Sequence, residues 1–373
     1  MHGIQLHEDI FFMQLTISQK GNDLIFRPMH TKPLPCCDLD HIWHHTSDLW
    51  NCEAESNFFI TGGTGFFGIW LLESLAHANQ IGNLNLRVVV LSRNPEAFLS
   101  KMPHLVEHSF IHWIKGDIRN FDFPQESFDY LVHAATDTLS RNNFGSQLME
   151  LDGMISGTKR VLEFARCAGV RKLLFTSSGA VYGQQDSSHI PVSEDCMLSP
   201  DPLSPRSSYG IGKRVSEHLC MLHSLDTGCQ ISLARCFAFI GPHLPLDQGY
   251  AIGNFLRDGL NGEPIRFTGT GQSVRSYLHA ADLMIWLWTL LFKAEGCRAY
   301  NVGSPTALTI AQAAEMVAAN FSLPTQSQIA GNVASSTSVY LPDVSRAALE
   351  HNLEEKILLP EAIRRTSQWY LTN

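Results

Sequence analysis

A tyrosine and a lysine four residues apart are the first residues in this sequence whose types and spacing suggest chemistry. In the stretch Tyr209-Gly210-Ile211-Gly212-Lys213, a phenol and an ammonium group stand at positions i and i+4. On a helix, side chains at this spacing project from the same face. A nearby ammonium group favours the phenolate form of tyrosine, so the pair could supply a general base. The same spacing also fits an exposed Tyr–Lys pair, so the surrounding sequence must decide between the two.

A glycine-rich stretch lies far upstream of this pair. Gly62-Gly63-Thr64-Gly65-Phe66-Phe67-Gly68 directly follows an apolar run and opens a helical pattern. Its three spaced glycines, 62, 65 and 68, permit a sharp turn, a close approach of pyrophosphate to backbone N–H groups, and close packing of helix on strand. This strand–loop–helix context predicts a dinucleotide-binding site.

The elements that must position these residues follow an alternating pattern. Six short apolar runs are predicted to be buried parallel strands: 57–61, 87–91, 110–114, 130–134, 172–177 and 231–235. Amphipathic helical segments lie between them, for example 67–78 and 149–167. The alternation predicts an α/β fold, a Rossmann-like doubly wound parallel sheet.

The flanking regions differ from this alternating part. Residues 1–56 lack a sustained period and are predicted to be an N-terminal extension, in which helical spacing favours a short helix over 38–50. Residues 57–235 are predicted to form mainly the cofactor-binding domain. Residues 236–373 are predicted to form mainly a smaller substrate-binding lobe, with some elements returning to the first domain.

Composition excludes several classes of protein. The 373 residues are 44% apolar and 17% charged, which excludes a disordered chain. The net charge of −9, without long runs of one sign, provides no surface for nucleic acid or anionic membrane. Nine irregularly spaced cysteines indicate free thiols in a reducing compartment. No signal peptide is evident, and the apolar stretch 283–292 is about half as long as a membrane span. We therefore expect a cytoplasmic protein.

The motifs together resemble the extended short-chain dehydrogenase/reductase family. The glycine stretch is followed, in the family's order, by Gly116-Asp117-Ile118-Arg119 and by His133-Ala134-Ala135-Thr136. The stretch 175–183 (FTSSGAVYG) ends the fifth strand as in nucleotide-sugar epimerases, and Tyr209 and Lys213 follow where the family carries its Tyr-x-x-x-Lys. The resemblance runs to about Tyr370, and its C-terminal marks are similar to those of nucleotide-sugar epimerases and dehydratases.

This resemblance implies a set of residues that contact a nicotinamide cofactor. They are Gly62, Thr64, Gly65, Phe66, Phe67, Gly68, Ser92, Arg93, Asp117, Ile118, Ala134, Ala135, Thr136, Tyr209 and Lys213. The second strand ends in Ser92-Arg93, whereas an NAD site normally offers an acidic residue there. A hydroxyl beside a guanidinium suits a 2′-phosphate, so we expect NADP, with NAD as the alternative.

The resemblance also implies catalytic and substrate-binding residues. Tyr209 would act as general base on a sugar hydroxyl, Lys213 would hold the nicotinamide ribose, and Ser178 would hydrogen-bond the reacting oxygen. Ser177 is the alternative to Ser178. Asn254 is expected in the substrate loop, and Arg275 is expected to contact the diphosphate of a nucleotide-diphosphate sugar.

The residues after Ser178 bear on the final reaction. Family 4,6-dehydratases carry an acidic pair there and the decarboxylases of nucleotide-linked glucuronic acid keep a Glu, whereas this chain has Gly179 and Ala180. Elimination of water needs an acid and a base, which neither residue supplies. We therefore predict transient oxidation at sugar C4 followed by 4-epimerisation. A dehydratase or decarboxylase, an NADPH-dependent ketosugar reductase and a non-catalytic cofactor-binding scaffold remain alternatives.

Two further predictions concern metal and assembly. Six residues near the N-terminus could suggest a zinc site, but they lack the paired short spacers of such sites, so no metal is expected: Cys36, Cys37, His41, His44, His45 and Cys52. Family members commonly dimerise through a four-helix bundle. The matching helices here are 149–167 and 208–224, so we predict a homodimer.

Overall fold

A seven-stranded parallel sheet forms the centre of the molecule. The computed structural model describes residues 32–51, 53–136, 144–185, 190–247, 249–293, 295–328 and 337–372. The strands of the central sheet are β1 (Asn57–Thr61), β2 (Arg87–Ser92), β3 (Ile111–Lys115), β4 (Tyr130–His133), β5 (Lys172–Ser178), β6 (Gln230–Cys236) and β11 (Cys297–Val302). Their spatial order is β11-β6-β5-β4-β1-β2-β3. The predicted Rossmann-like α/β fold is thus confirmed, and all six predicted strands are present within one residue of their predicted bounds.

The apolar runs are continuous because both faces of the sheet are covered. In β1, Phe58 and Ile60 join one buried cluster, whereas Phe59 joins a second cluster on the opposite face. Val88 and Val89 of β2 divide in the same way. Successive side chains of a strand point to opposite faces, so a sheet with two buried faces requires apolar residues at every position.

Helices cover the two faces of this sheet. The helices are α1 (Cys36–Thr46), α2 (Phe66–Ile81), α3 (Pro95–Leu99), α4 (Phe144–Cys167), α5 (Ser208–Thr227), α6 (Ala251–Leu260), α7 (Ala280–Lys293), α8 (Ile310–Phe321), α9 (Ser345–His351) and α10 (Leu359–Leu371). Helices α4 and α5 pack side by side, and α7 packs against β5 and β6. Every residue of α7 from Ala280 to Phe292 is buried, which explains its almost wholly apolar sequence.

The chain after β6 forms several small sheets beside the central one. Their strands are β7 (Phe239–Ile240), β8 (Ile265–Thr268), β9 (Val274–Arg275), β10 (Leu278–His279), β12 (Leu308–Thr309), β13 (Thr325–Gln328) and β14 (Val339–Tyr340). Strand β9 pairs with β12 and β14. Strand β11, which was not among the six predicted strands, returns to the central sheet and pairs with β6 along its whole length.

The N-terminal helix α1 is anchored by residues distant in sequence. Asp38 is fully buried and accepts a hydrogen bond from Arg365 Nη1 at 2.8 Å. His41 Nε2 lies 2.9 Å from Asp282 Oδ1 at the start of α7. The predicted short helix over 38–50 is present as α1 followed by a 3-10 turn at Ser47–Trp50. Asp38, Ile42 and Thr46 form the buried face of α1, and His45 is exposed.

Candidate cofactor and substrate cleft

One large open cleft lies over the carboxyl ends of the central strands. Its volume is about 2400 Å³, well above the roughly 300–1,000 Å³ of an ordinary ligand pocket. With the exception of Gly68, every residue expected to bind cofactor or substrate lines it. Parallel strands end at the same sheet edge, which is where ligands bind in open α/β sheets. The cleft has room for two nucleotide-sized ligands.

The glycine stretch forms the floor of one end of this cleft. Gly62 has a φ of +77°, and a Cβ there would lie 2.5 Å from the backbone carbon of Ala134. Gly68 is buried, and a Cβ on it would lie 2.3 Å from the Gly62 carbonyl oxygen. Gly65 caps the N-terminus of α2 and is exposed to the cleft. The stretch therefore has the close backbone packing and open helix N-terminus that fit a pyrophosphate.

A cationic residue lies at the end of β2. Arg93 follows the buried Ser92 there, and both residues line the cleft, as does Lys101 from the turn after α3. Asp117 accepts hydrogen bonds from Arg119 Nε and Nη2, both at 2.8 Å. These bonds hold the pKa of the Asp117 carboxyl down at about 2. The neighbouring Ile118 packs against Gly157 of α4.

Lys213 is buried and lines the cleft. Its Nζ donates to Thr136 Oγ1 and to the Thr176 carbonyl, both at 2.7 Å. Within the described part of the chain these are its two hydrogen bonds, so the third N–H is available to a ligand. Burial lowers the pKa of Lys213 to about 8, while Cys236, Glu217 and Cys220 act in the opposite direction.

The phenol and the hydroxyl predicted to act on the substrate line the same cleft. Tyr209 lies one helical turn before Lys213 on α5. The Nζ of Lys213 is 5.9 Å from the centre of the Tyr209 ring. Ser178 ends β5, and its Oγ accepts a hydrogen bond from Ala180 N at 3.1 Å. Ser177, the alternative, instead donates to Glu217 Oε1 at 2.5 Å. The structure thus brings Ser178, Tyr209 and Lys213 to one cavity.

A buried polar network supports the end of β5 from below. Glu217 lies one turn beyond Lys213 and accepts from Arg235 Nη2 at 2.8 Å, in addition to Ser177. Arg235 also donates to Tyr182 Oη at 2.9 Å, and Tyr182 donates to Asn301 Oδ1 at 2.8 Å. These contacts fix the turn that presents Ser178.

Another buried chain of hydrogen bonds runs beneath Ala134 and Ala135. His133 Nδ1 lies 2.9 Å from Thr61 Oγ1, and its Nε2 lies 3.2 Å from Thr158 Oγ1. Burial lowers the pKa of His133 to about 3, with the charge of Lys213 acting in the same direction. His133 is therefore neutral at physiological pH and ties β1, β4 and α4 together.

The two remaining residues expected to bind the substrate, Asn254 and Arg275, also line the cleft. Asn254 lies on helix α6, so the prediction that it belongs to a loop is wrong; Gly253 there packs closely on the Pro245 carbonyl. Arg275 on β9 donates to the Ser338 carbonyl at 3.0 Å and to Ser338 Oγ at 2.9 Å. Burial lowers the pKa of this guanidinium from its usual high value.

Two polar residues near the site were missed by the sequence analysis. Glu217 continues the Tyr209–Lys213 face at the next i+4 position, so its spacing could have revealed it. Tyr340 lies beside Ser178, but it comes from a two-residue strand more than 160 positions away. No pattern in the sequence predicts that contact.

Other groups named from the sequence have no such arrangement. Across the described ranges, no three His, Cys, Asp or Glu side chains come together to hold a metal ion, and Cys52 lies outside those ranges. Cys36, Cys37 and Cys167 are exposed free thiols. In the same ranges, no helix combines the length and apolarity needed to cross a lipid bilayer.

Comparison with known proteins is consistent with this geometry. Residues 58–303 match the model of the NAD dependent epimerase/dehydratase family. The chain is 26% identical over 319 residues to UDP-glucuronic acid decarboxylase 1 of Danio rerio, covering 85% of this chain and 73% of that protein. The similar solved structures show the same fold.

Two of those structures are epimerases. One, from Methanothermobacter thermautotrophicus, has a TM-score of 0.75 and 22% identity, covering 89% of this chain and 96% of that one. The other is the UDP-glucuronic acid 4-epimerase of Bacillus cereus in complex with UDP-glucuronic acid and NAD. It has a TM-score of 0.71 and 22% identity, covering 84% of this chain and 99% of that one. Because the family model covers well over half of the sequence, this chain belongs to the NAD dependent epimerase/dehydratase family.

Proposed function

We propose that the protein oxidises C4 of a nucleotide-diphosphate sugar transiently and returns the hydride to the opposite face, which makes it a 4-epimerase. The observation that carries the proposal is the convergence of Ser178, Tyr209 and Lys213 on one cleft beside the glycine stretch. A bound nicotinamide cofactor would supply the hydride acceptor and donor for both half-reactions.

The chain's own residues would perform the proton transfer. Tyr209 removes the proton from the C4 hydroxyl and later returns it. Lys213, positively charged below pH 8, stabilises the phenolate and holds the nicotinamide ribose through its remaining N–H. Ser178 donates a hydrogen bond to the oxygen at C4 in both its hydroxyl and carbonyl states.

The glycine stretch, Ala134, Ala135 and Thr136 would hold the cofactor, with Asp117 and Ile118 beside its adenine. We favour NADP, because Ser92 and Arg93 stand together at the end of β2, where a 2′-phosphate would be bound. The Asp117 carboxylate is paired with Arg119 at 2.8 Å. NAD is the alternative, and a Bacillus cereus neighbour was solved with NAD.

The second candidate is decarboxylation of a nucleotide-linked glucuronic acid, which the curated relatives favour by name. Both reactions share oxidation at C4. The positions after Ser178 distinguish them, because Gly179 and Ala180 provide no acid or base beside the sugar. Two residues without acidic or basic side chains suit epimerisation, in which the keto sugar only has to rotate so that its opposite face meets the cofactor.

Substitution of the proposed base tests the assignment. Tyr209→Phe should reduce turnover of UDP-glucuronic acid and UDP-glucose by at least about a thousandfold while NADPH affinity changes less than threefold. Tyr300→Phe, which removes a phenol hydroxyl on β11 outside the cleft, is the matched control. Unchanged turnover in the Tyr209 variant would refute the proposed role.

The homodimer is proposed on the packing of α4 against α5. The exposed side of this pair carries large apolar side chains, with Leu222 47% and Leu225 78% exposed. Light scattering should give twice the chain mass, and a monomer at micromolar concentration would refute the assembly.

A further inference from the structure

Tyr340 reaches the reaction centre from the far end of the chain. Its Oη lies 3.4 Å from Ser178 Oγ and 3.4 Å from the Cys236 carbonyl oxygen. Its ring packs on Phe237 with 4.6 Å between ring centres. The phenol also lines the cleft.

Gly179 provides the space for this phenol. A Cβ at position 179 would lie 2.8 Å from Tyr340 Oη and 2.7 Å from the Phe237 ring. Any larger residue directly after Ser178 would therefore displace Tyr340. The position at which some relatives were expected to carry an acidic side chain is filled here by a hydroxyl group from another strand.

The backbone around Tyr340 is held on both sides. Strand β14 pairs with β9, and Tyr340 stands opposite Arg275. The next residue, Leu341, donates its N–H to Gln185 Oε1 at 3.0 Å and accepts from Val192 N at 3.0 Å. The phenol is thus placed by a strand pair rather than by a single loop contact.

We infer that Tyr340 is a positioning residue that orients the hydroxyl of Ser178; this rests on the proposed C4 oxidation. A serine hydroxyl has one proton and two acceptor lone pairs. Ala180 N–H occupies one lone pair of Ser178. The phenol has one proton, and two acceptors compete for it, because Ser178 Oγ and the Cys236 carbonyl oxygen both lie 3.4 Å from Tyr340 Oη. When this proton is directed to the second lone pair of Ser178, the serine proton is directed to the sugar oxygen, and a hydroxyl that accepts such a bond becomes a stronger donor.

A double-mutant cycle tests this inference, with UDP-glucuronic acid and UDP-glucose as probes and added NADP⁺ or NAD⁺ as oxidant. The measured quantity is the single-turnover rate at which reduced nicotinamide absorbance appears. Tyr340→Phe should slow this rate about tenfold, the scale of one hydrogen bond. In the Ser178→Ala background the same change should alter the rate less than twofold, because the residue through which it acts is absent.

A second variant and a control guard against a structural effect. Gly179→Ala retains the phenol of Tyr340 but displaces it. This substitution should therefore slow the single-turnover rate in the otherwise wild-type protein, as Tyr340→Phe does, and should not slow it further in the Ser178→Ala protein. Tyr300→Phe should change the rate less than twofold. Melting temperature and NADPH affinity should stay unchanged in Tyr340→Phe.

The outcomes separate the two proposals. Equal, additive losses in both backgrounds, with an active wild type, would mean that Tyr340 contacts the substrate directly and would overturn this inference alone. A wild type that reduces no cofactor with either probe would overturn the proposed function and this inference with it.

Discussion

Substitution by alanine should affect stability at one glycine of the glycine-rich stretch and cofactor binding at another. A Cβ on Gly68 would lie 2.3 Å from the Gly62 carbonyl oxygen and from the Gly63 backbone carbon. Ordinary contact needs about 1 Å more, so the strand–helix turn has to shift. A Cβ on Gly65 meets only the Gly62 carbonyl at 3.6 Å, an ordinary contact.

The magnitudes follow from these distances. Gly68→Ala should lower the free energy of unfolding of the cofactor-free protein by about 1–3 kcal/mol, as overpacking does. Gly65→Ala should lower it by less than about 1 kcal/mol. Its methyl group faces the cleft, however, and would separate the pyrophosphate from the α2 N-terminus. The loss of one charge-assisted hydrogen bond, about 1.5–3 kcal/mol, predicts roughly 10- to 100-fold weaker NADPH binding.

Urea unfolding without cofactor and NADPH titration by fluorescence measure the two effects separately. The expected pattern is a stability loss at Gly68 and a selective affinity loss at Gly65. If Gly65→Ala bound NADPH within threefold of the wild type, the cofactor could not lie against this helix end as proposed.

The remaining predictions concern charge. The single-turnover rate should fall as the pH rises through about 8, because Lys213 loses its positive charge there. Lys213→Arg should shift this decrease in rate to higher pH, and an unchanged pH dependence would contradict the assignment of the decrease to Lys213. His133, with a pKa near 3, should cause no change in the single-turnover rate between pH 5 and 7. Arg93→Ala should weaken NADPH binding about tenfold and leave NADH binding within twofold, since the charge pairs with the 2′-phosphate; equal losses would favour NAD. Asp38→Asn should lower the unfolding free energy by about 2–3 kcal/mol, because the buried carboxylate pairs with Arg365; a change below about 0.5 kcal/mol in urea unfolding would show that α1 is anchored otherwise.

Sequence patterns predicted those parts of the fold in which the type of each residue follows directly from its own burial. Runs such as 87–91 are apolar at every position because both faces of the sheet are buried, so they are recognisable on their own. Strand β11 reads CRAYNV, with an exposed Arg298 at the sheet edge, and its pattern is weaker. The pairing of Asp38 with Arg365 and of Ser178 with Tyr340 depends on residues far apart in the chain. Neither residue of such a pair marks its partner in the sequence.

The fate of the C4 hydrogen tests the central proposal most directly. The protein would be incubated with UDP-glucuronic acid and with UDP-glucose, each deuterated at C4, and the products analysed by mass spectrometry and NMR. A 4-epimerase yields a product of unchanged mass, inverted at C4 and still deuterated there, without net consumption of cofactor. A product lighter by water or carbon dioxide, or one formed only with stoichiometric NADPH, would contradict the proposed 4-epimerisation.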